Sequence, residues 1–119
     1  MLNKDNRLTS KFEFNITRKY GVKHTGVFST VYSLKPTNYE GPIKVGIVVS
    51  NRVHPKAAKR NYVKRVLREI VRKKITESGE EKLKNLWIVV QSKQEIIGKK
   101  YEEIRVDIDK TLQKIFITD

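Results

Sequence analysis

The amino-acid sequence predicts an α+β fold, an α/β sandwich with helices on a small mixed sheet, and three observations predict it. Helical and strand-like segments interleave in the order helix, strand, strand, helix, strand, helix, an order that layers around one core satisfy. The run Leu86 to Val90 is almost continuously apolar and of strand length, as expected of a central strand buried on both faces. Residues 59–72 carry one apolar and one cationic stripe at helical spacing, so that segment can rest on a sheet and keep its charges in water. With 119 residues, the chain is read as one domain, residues 1–119, able to bury a core without staples.

The first helix starts near Ser10. Ser10-Lys11-Phe12-Glu13 has capping-box spacing, with a hydroxyl for the third amide and a carboxylate reaching back. It runs to about Lys19, and Gly21 ends it. Phe12, Ile16 and Tyr20 share one face and are its expected core stripe. Phe14 falls off that stripe, either as an edge contact or as a working aromatic.

Gly26 to Leu34 alternates and is rich in β-branched residues, so it reads as a strand. Pro36, Asn38 and Gly41-Pro42 mark the following loop. Ile43 to Ser50 is the next strand: Ile43, Val45, Ile47 and Val49 form an apolar face, while Lys44, Gly46, Val48 and Ser50 leave the other face small or cationic. Such a face has room for something to lie on it. Pro55 suits the first turn of the basic helix, which continues to about Lys74 with Ser78-Gly79 as its exit. Glu80 to Lys84 is a polar turn, and Leu86 to Val90 is the buried strand. From Lys99, the residues Tyr101, Ile104, Ile108, Leu112 and Ile115 keep helical spacing to the C-terminus. Glu102, Glu103, Asp107 and Asp109 crowd the first half of that helix, where its dipole favours negative charge. The first few and last two or three residues are expected to fray.

Charge narrows the function. The chain carries net +13. Ten of its Lys and Arg residues lie between Arg52 and Lys74 with one acid, Glu69, so that segment alone holds net +9 (ten minus one). On the helix, Asn61, Lys64, Arg65, Arg68 and Arg72 form a single stripe opposite Val63, Val66, Leu67, Ile70 and Val71. A merely solvated face mixes signs to gain i,i+4 pairs; one sign at a helical period points to a polyanion, nucleic acid first. Membrane anchors of this kind favour Trp or Phe on the apolar face, and this face is aliphatic. No membrane partner is expected. The chain lacks cysteine and any apolar run of membrane length, so a soluble, cytoplasmic protein is expected.

Little points to protein-borne chemistry. His24 and His54 fall in predicted loops and read as solvated. Asp107 and Asp109, two apart on a helix, point to different sides. No nucleophile elbow, phosphate-binding loop or dinucleotide fingerprint is present. Phe12, Phe28, Trp87 and Phe116 read as core aromatics, whereas Phe14 and Tyr32 are candidates for stacking on unpaired bases.

The segment Arg60-Asn61-Tyr62-Val63-Lys64-Arg65-Val66-Leu67-Arg68-Glu69 resembles the R-N-R-x-K-R-x-x-R-E signature of the protein subunit of bacterial ribonuclease P, the ribonucleoprotein that removes 5′ leaders from precursor tRNA. Tyr62 stands where that family usually has arginine. Arg7-Leu8, Phe14, Gly21, the strand Val45 to Ser50, and Trp87 to Val90 keep the family's spacing too. Asn51-Arg52 stands where the family commonly has two lysines. The resemblance implies three helices on a mixed four-stranded sheet, like the second domain of a small-subunit ribosomal protein, with a left-handed crossover around the signature helix, against the usual rule.

It also implies two RNA surfaces. Arg60, Asn61, Lys64, Arg65 and Arg68 would contact the catalytic RNA, and the charge run adds Arg52, Lys56, Lys59 and Arg72. A cleft between the first helix and the sheet would hold the single-stranded leader, at Phe14, Tyr32, Lys44, Val48 and Ser50. The expected partners are ribonuclease P RNA and precursor tRNA. The catalytic groups would reside in the RNA with its Mg²⁺, with no cofactor bound by the protein alone. Two alternatives stand beside this reading. A structural, ribosomal-type RNA-binding protein would share charge and size but need no leader cleft. A major-groove DNA reader would need a short helix and turn before the basic helix, which the chain lacks, so no DNA partner is expected.

Overall fold

The structure, a computed structural model, describes residues 4–116. A four-stranded sheet is formed by β1 (Val22–Thr25), β2 (Ser29–Leu34), β3 (Lys44–Val48) and β4 (Trp87–Ser92) in the order β1-β2-β4-β3. The pairs β1/β2 and β2/β4 are antiparallel and β3/β4 is parallel, so the sheet is mixed. Three helices pack on it: α1 (Lys11–Tyr20), α2 (Ala57–Ser78), which connects the parallel pair, and α3 (Tyr101–Phe116). Short 3₁₀ turns lie at Lys4–Asn6, Glu80–Leu83 and Gln94–Ile96.

The central strand behaves as its composition requires. Trp87, Ile88, Val89 and Val90 are all buried, and β4 has a partner on each side. One face of the sheet, with Val31, Val45, Ile88 and Val90, carries the main core under α2 and α3. Val63, Val66, Leu67, Ile70 and Val71 of α2 are all buried, as their periodicity requires. Ile104, Ile108, Leu112 and Ile115 do the same for α3. The other face carries a smaller core of Leu8, Trp87 and Val89 with Phe14, Ile16, Tyr32, Tyr39 and Val48 against it.

Several features depart from the sequence reading. The segment read as one strand, Gly26 to Leu34, is the turn and second strand of a hairpin: Gly26 to Phe28 turns, and Val22–Thr25, which the sequence reading left outside any strand, pairs with Ser29–Leu34 as a further strand. Asp107 of α3 holds that turn: its Oδ1 accepts from the Val27 amide at 3.0 Å and its Oδ2 from the Phe28 amide at 2.9 Å. Asp107 is therefore a tertiary brace rather than a solvated, dipole-favoured acid, and His24 lies in β1 rather than in a loop.

Helix α1 is capped by Ser10 and Glu13 as expected, but it is rolled about its axis. Phe12 is 68% exposed and Tyr20 67%, while Thr17 is fully buried and its hydroxyl donates to the Glu13 carbonyl at 2.8 Å. The side that meets the sheet is Glu13, Phe14, Ile16 and Thr17, so Ile16 of the expected stripe packs while Phe12 and Tyr20 do not. Gly21 ends α1 in an extended conformation, φ −77°, not a left-handed one. Glycine is needed there because a Cβ would crowd the Thr17 carbonyl and stand 2.7 Å from the Ser33 oxygen.

Helix α2 begins at Ala57, after an N-cap at Lys56, and runs to Ser78, where Gly79 at φ 93° supplies the turn that the Ser78-Gly79 exit predicts. Strand β3, at the sheet edge, is covered by the chain's start: the Leu8 amide donates to the Val45 carbonyl at 3.0 Å, and Asn6 donates to the Ile43 carbonyl at 2.8 Å. This removes one open edge. Of the residues expected to fray, 1–3 and 117–119 lie outside the described ones.

Candidate RNA-binding surfaces

The first surface is the outer side of α2. Opposite the buried stripe, Asn61 and Arg65 are exposed, and Lys64, Arg68 and Arg72 are half-buried. Arg52, Lys56 and Lys59 are exposed at the N-terminal end. The first turn of α2 has no acid and no side-chain cap, so the positive end of the helix dipole adds to these charges.

Of the nine named residues, Arg60 and Arg72 make side-chain hydrogen bonds within the protein. Arg60 directs one guanidinium nitrogen to the carbonyls of His54 (2.9 Å) and Pro55 (2.8 Å). His54 in turn accepts the Lys56 amide on Nδ1 at 3.0 Å. Arg60 thus ties the loop to the helix it precedes, which its place in the charge run did not show. Arg72 binds Glu69 with Nη2 at 2.6 Å and Nε at 3.3 Å. That contact keeps the Glu69 carboxyl below the usual carboxylate range, as the Arg72 hydrogen bond outweighs desolvation.

The second surface lies where α1 crosses the sheet. Register places Lys44, Gly46 and Val48 of β3 beside Trp87, Val89 and Gln91 of β4, with Tyr32 of β2 beside Val89 on the far side. The Phe14 ring occupies the space above Gly46, where a Cβ would collide with it. Phe14, Tyr32 and Val48 therefore share one cluster. The face expected to be open is partly filled by Phe14 itself. Lys44 sits toward the start of β3, its Nζ 3.7 Å from Glu13 Oε2 and 5.4 Å from the centroid of the Tyr39 ring. Ser50 is exposed past the end of β3. From Lys44 to Ser50 the cleft residues span roughly 20 Å at strand rise.

Glu13 and Tyr39 belong to this surface and were not among the cleft residues named from the sequence, where Glu13 entered only as a helix cap. Burial raises the Glu13 carboxyl, but the amides of Ser10 and Thr9 and the charge of Lys44 together hold it below its ordinary value. Tyr39 packs on Trp87 with centroids 5.4 Å apart and donates its hydroxyl to the Pro42 carbonyl at 2.5 Å. It lies in a loop without periodicity, so no pattern marked it. Among the described residues no three His, Cys, Asp or Glu side chains come together to hold a metal ion.

The profile of the family described as Ribonuclease P matches residues 2–116. The chain belongs to the ribonuclease P protein family. A ribonuclease P protein component of Synechococcus sp. is 30% identical over 116 residues, covering 96% of this chain and 84% of the relative. One from Xylella fastidiosa is 36% identical over 66 residues, covering 56% of this chain and 47% of the relative. The chain thus spans about half the length of that relative. Among solved structures, the Staphylococcus aureus RNase P protein superposes with a TM-score of 0.79 at 22% identity, over 98% of this chain and 100% of that one. The Thermotoga maritima RNase P protein gives 0.73 at 23%, over 95% and 97%. At these identities the likeness concerns the fold, which is the ribonuclease P protein fold.

Proposed function

We propose that this protein is the protein subunit of ribonuclease P, binding the catalytic RNA along α2 and the single-stranded 5′ leader of precursor tRNA along the α1–sheet cleft. The observation that carries this reading is the signature segment 60–69 lying on one helix with its apolar residues buried and Asn61, Lys64, Arg65 and Arg68 on the opposite side. Lysine and arginine side chains there neutralise phosphates and release counterions. In the cleft, Phe14 and Tyr32 offer ring faces to unpaired bases, and Lys44 offers a cation to the backbone.

In this reading Mg²⁺ held by the RNA supplies the Lewis-acid chemistry of phosphodiester hydrolysis. The protein contributes binding: it holds the leader against the RNA and orders phosphates, so that less orientation is lost on the way to the transition state. The cytoplasm is the compartment that goes with it. No described helix is long and apolar enough to cross a membrane.

The test is single-turnover cleavage of a precursor tRNA by bacterial ribonuclease P RNA at limiting Mg²⁺, with and without the protein. A rate gain confined to leader-bearing substrates is expected. Absence of any gain, with binding to structured RNA kept, moves the assignment to a structural RNA-binding protein.

A further inference from the structure

A cavity of about 280 Å³ opens between the N-terminal half of α2 and the turn leading into α3. Val63, Val66, Ile96 and Ile104 form its buried apolar floor, and Lys59, Tyr62 and Lys99 stand at its rim. Tyr62 is 50% exposed although large. It fills the signature position where the family pattern has arginine. One helical step from Asn61 and three from Lys59, it sits on the flank of α2 between the cationic stripe and the core. Gly98, at φ 80°, turns the chain at the mouth, and nothing stands within 4 Å of where its Cβ would be. The mouth is open.

These features select a ligand class. An apolar floor gives a bare phosphate nothing to bond, and two lysines at the lip repel a cation. The volume is at the lower end for ligand pockets, enough for one planar ring system rather than an extended molecule. A half-exposed tyrosine beside it offers a ring face for stacking, and the lysines offer partners for a flanking phosphate. Lys99 lines the cavity, and its Nζ lies 6.0 Å from the Phe28 ring centroid.

We propose that this cavity receives the base of one unpaired nucleotide of the bound RNA, stacked on Tyr62, with the adjoining phosphate between Lys59 and Lys99. The inference rests on the reading of the chain as an RNA-binding subunit and adds a specific insertion site to it. Tyrosine here replaces a charge contact by a stacking contact.

Affinity for bacterial ribonuclease P RNA, measured over a salt series for wild type, Tyr62→Ala, Tyr62→Phe and Ile97→Trp, tests it. Tyr62→Ala should bind roughly tenfold more weakly with an unchanged salt slope, and Tyr62→Phe should bind like wild type. Ile97→Trp, which plugs the mouth without touching a charge, should weaken binding as Tyr62→Ala does. Thermal melts check that each variant folds. Wild-type affinity in Tyr62→Ala overturns the proposal, and so does equal weakening in Tyr62→Phe, which would assign the effect to the hydroxyl. Undiminished binding by Ile97→Trp would show that no base enters the cavity. A wild-type protein that fails to bind the RNA defeats the function proposed above and this site with it, whereas intact wild-type binding with indifferent variants defeats this site alone.

Discussion

The Phe14 ring occupies the space that any side chain on Gly46 would need, so α1 is seated on the sheet by an aromatic ring and a missing Cβ. Gly46→Ala must therefore push the ring and its helix away. Overpacking of this kind costs about 1–3 kcal/mol. Urea unfolding should show a lower midpoint with an unchanged m-value, and an unaltered midpoint would mean that α1 rides freely on the sheet.

If Phe14 stacks on the leader, Phe14→Ala should weaken binding of leader-bearing precursor by roughly 1–3 kcal/mol and leave mature tRNA unaffected. Equal losses on both substrates would remove Phe14 from leader binding and leave it a packing residue.

Arg65 and Arg72 share a stripe but not an environment. Arg65 is exposed, whereas Arg72 is bound to Glu69. Arg65→Ala should lower the slope of log affinity against log salt for RNA by about 0.9, and Arg72→Ala should lower it less because Glu69 already offsets its charge. Equal slope changes for the two would show that the Glu69 pair opens on binding RNA.

Glu13 makes stability depend on pH in a defined direction. Its folded carboxyl titrates below the ordinary value, against its own burial, because of the Ser10 and Thr9 amides and Lys44. A depressed acid stabilises the folded state fully above the unfolded value of about 4.3 and loses that contribution as pH falls through the folded value. Glu13→Gln should therefore narrow the gap to wild type as pH drops below about 4.3. A constant gap from pH 7 to pH 3 would mean that the carboxyl's charge is irrelevant.

Asp107 accepts two backbone amides from the hairpin turn. Asp107→Ala should cost about 1–2 kcal/mol, and amide exchange at Val27 and Phe28 should speed up far more than at Val89 in the central strand. Uniform acceleration across the sheet would instead make the brace part of global stability.

What could be read from sequence was what one segment decides within itself. Helix α2 is long enough for its period to separate Val63, Val66, Leu67, Ile70 and Val71 from the cations, and all five are buried. The run at Leu86 to Val90 is apolar on both sides of the pleat, which only a central strand tolerates. The capping box at Ser10 is a four-residue pattern and formed as written.

The tertiary structure decided what distant residues supply. Ile16 packs on the sheet, but Phe12 and Tyr20 complete a helical stripe with it as well as Phe14 and Thr17 do, and ten residues carry too little pattern to choose between them. The choice fell to Phe14 because Gly46, on another strand, leaves a space its ring can fill. The hairpin at Gly26 needed a carboxylate eighty residues away, and Lys44 acquired Glu13 and Tyr39 only once loop, helix and strand met. Periodicity reports the side of a segment that avoids water; which side actually finds a partner depends on the shape and charge of the surface it meets.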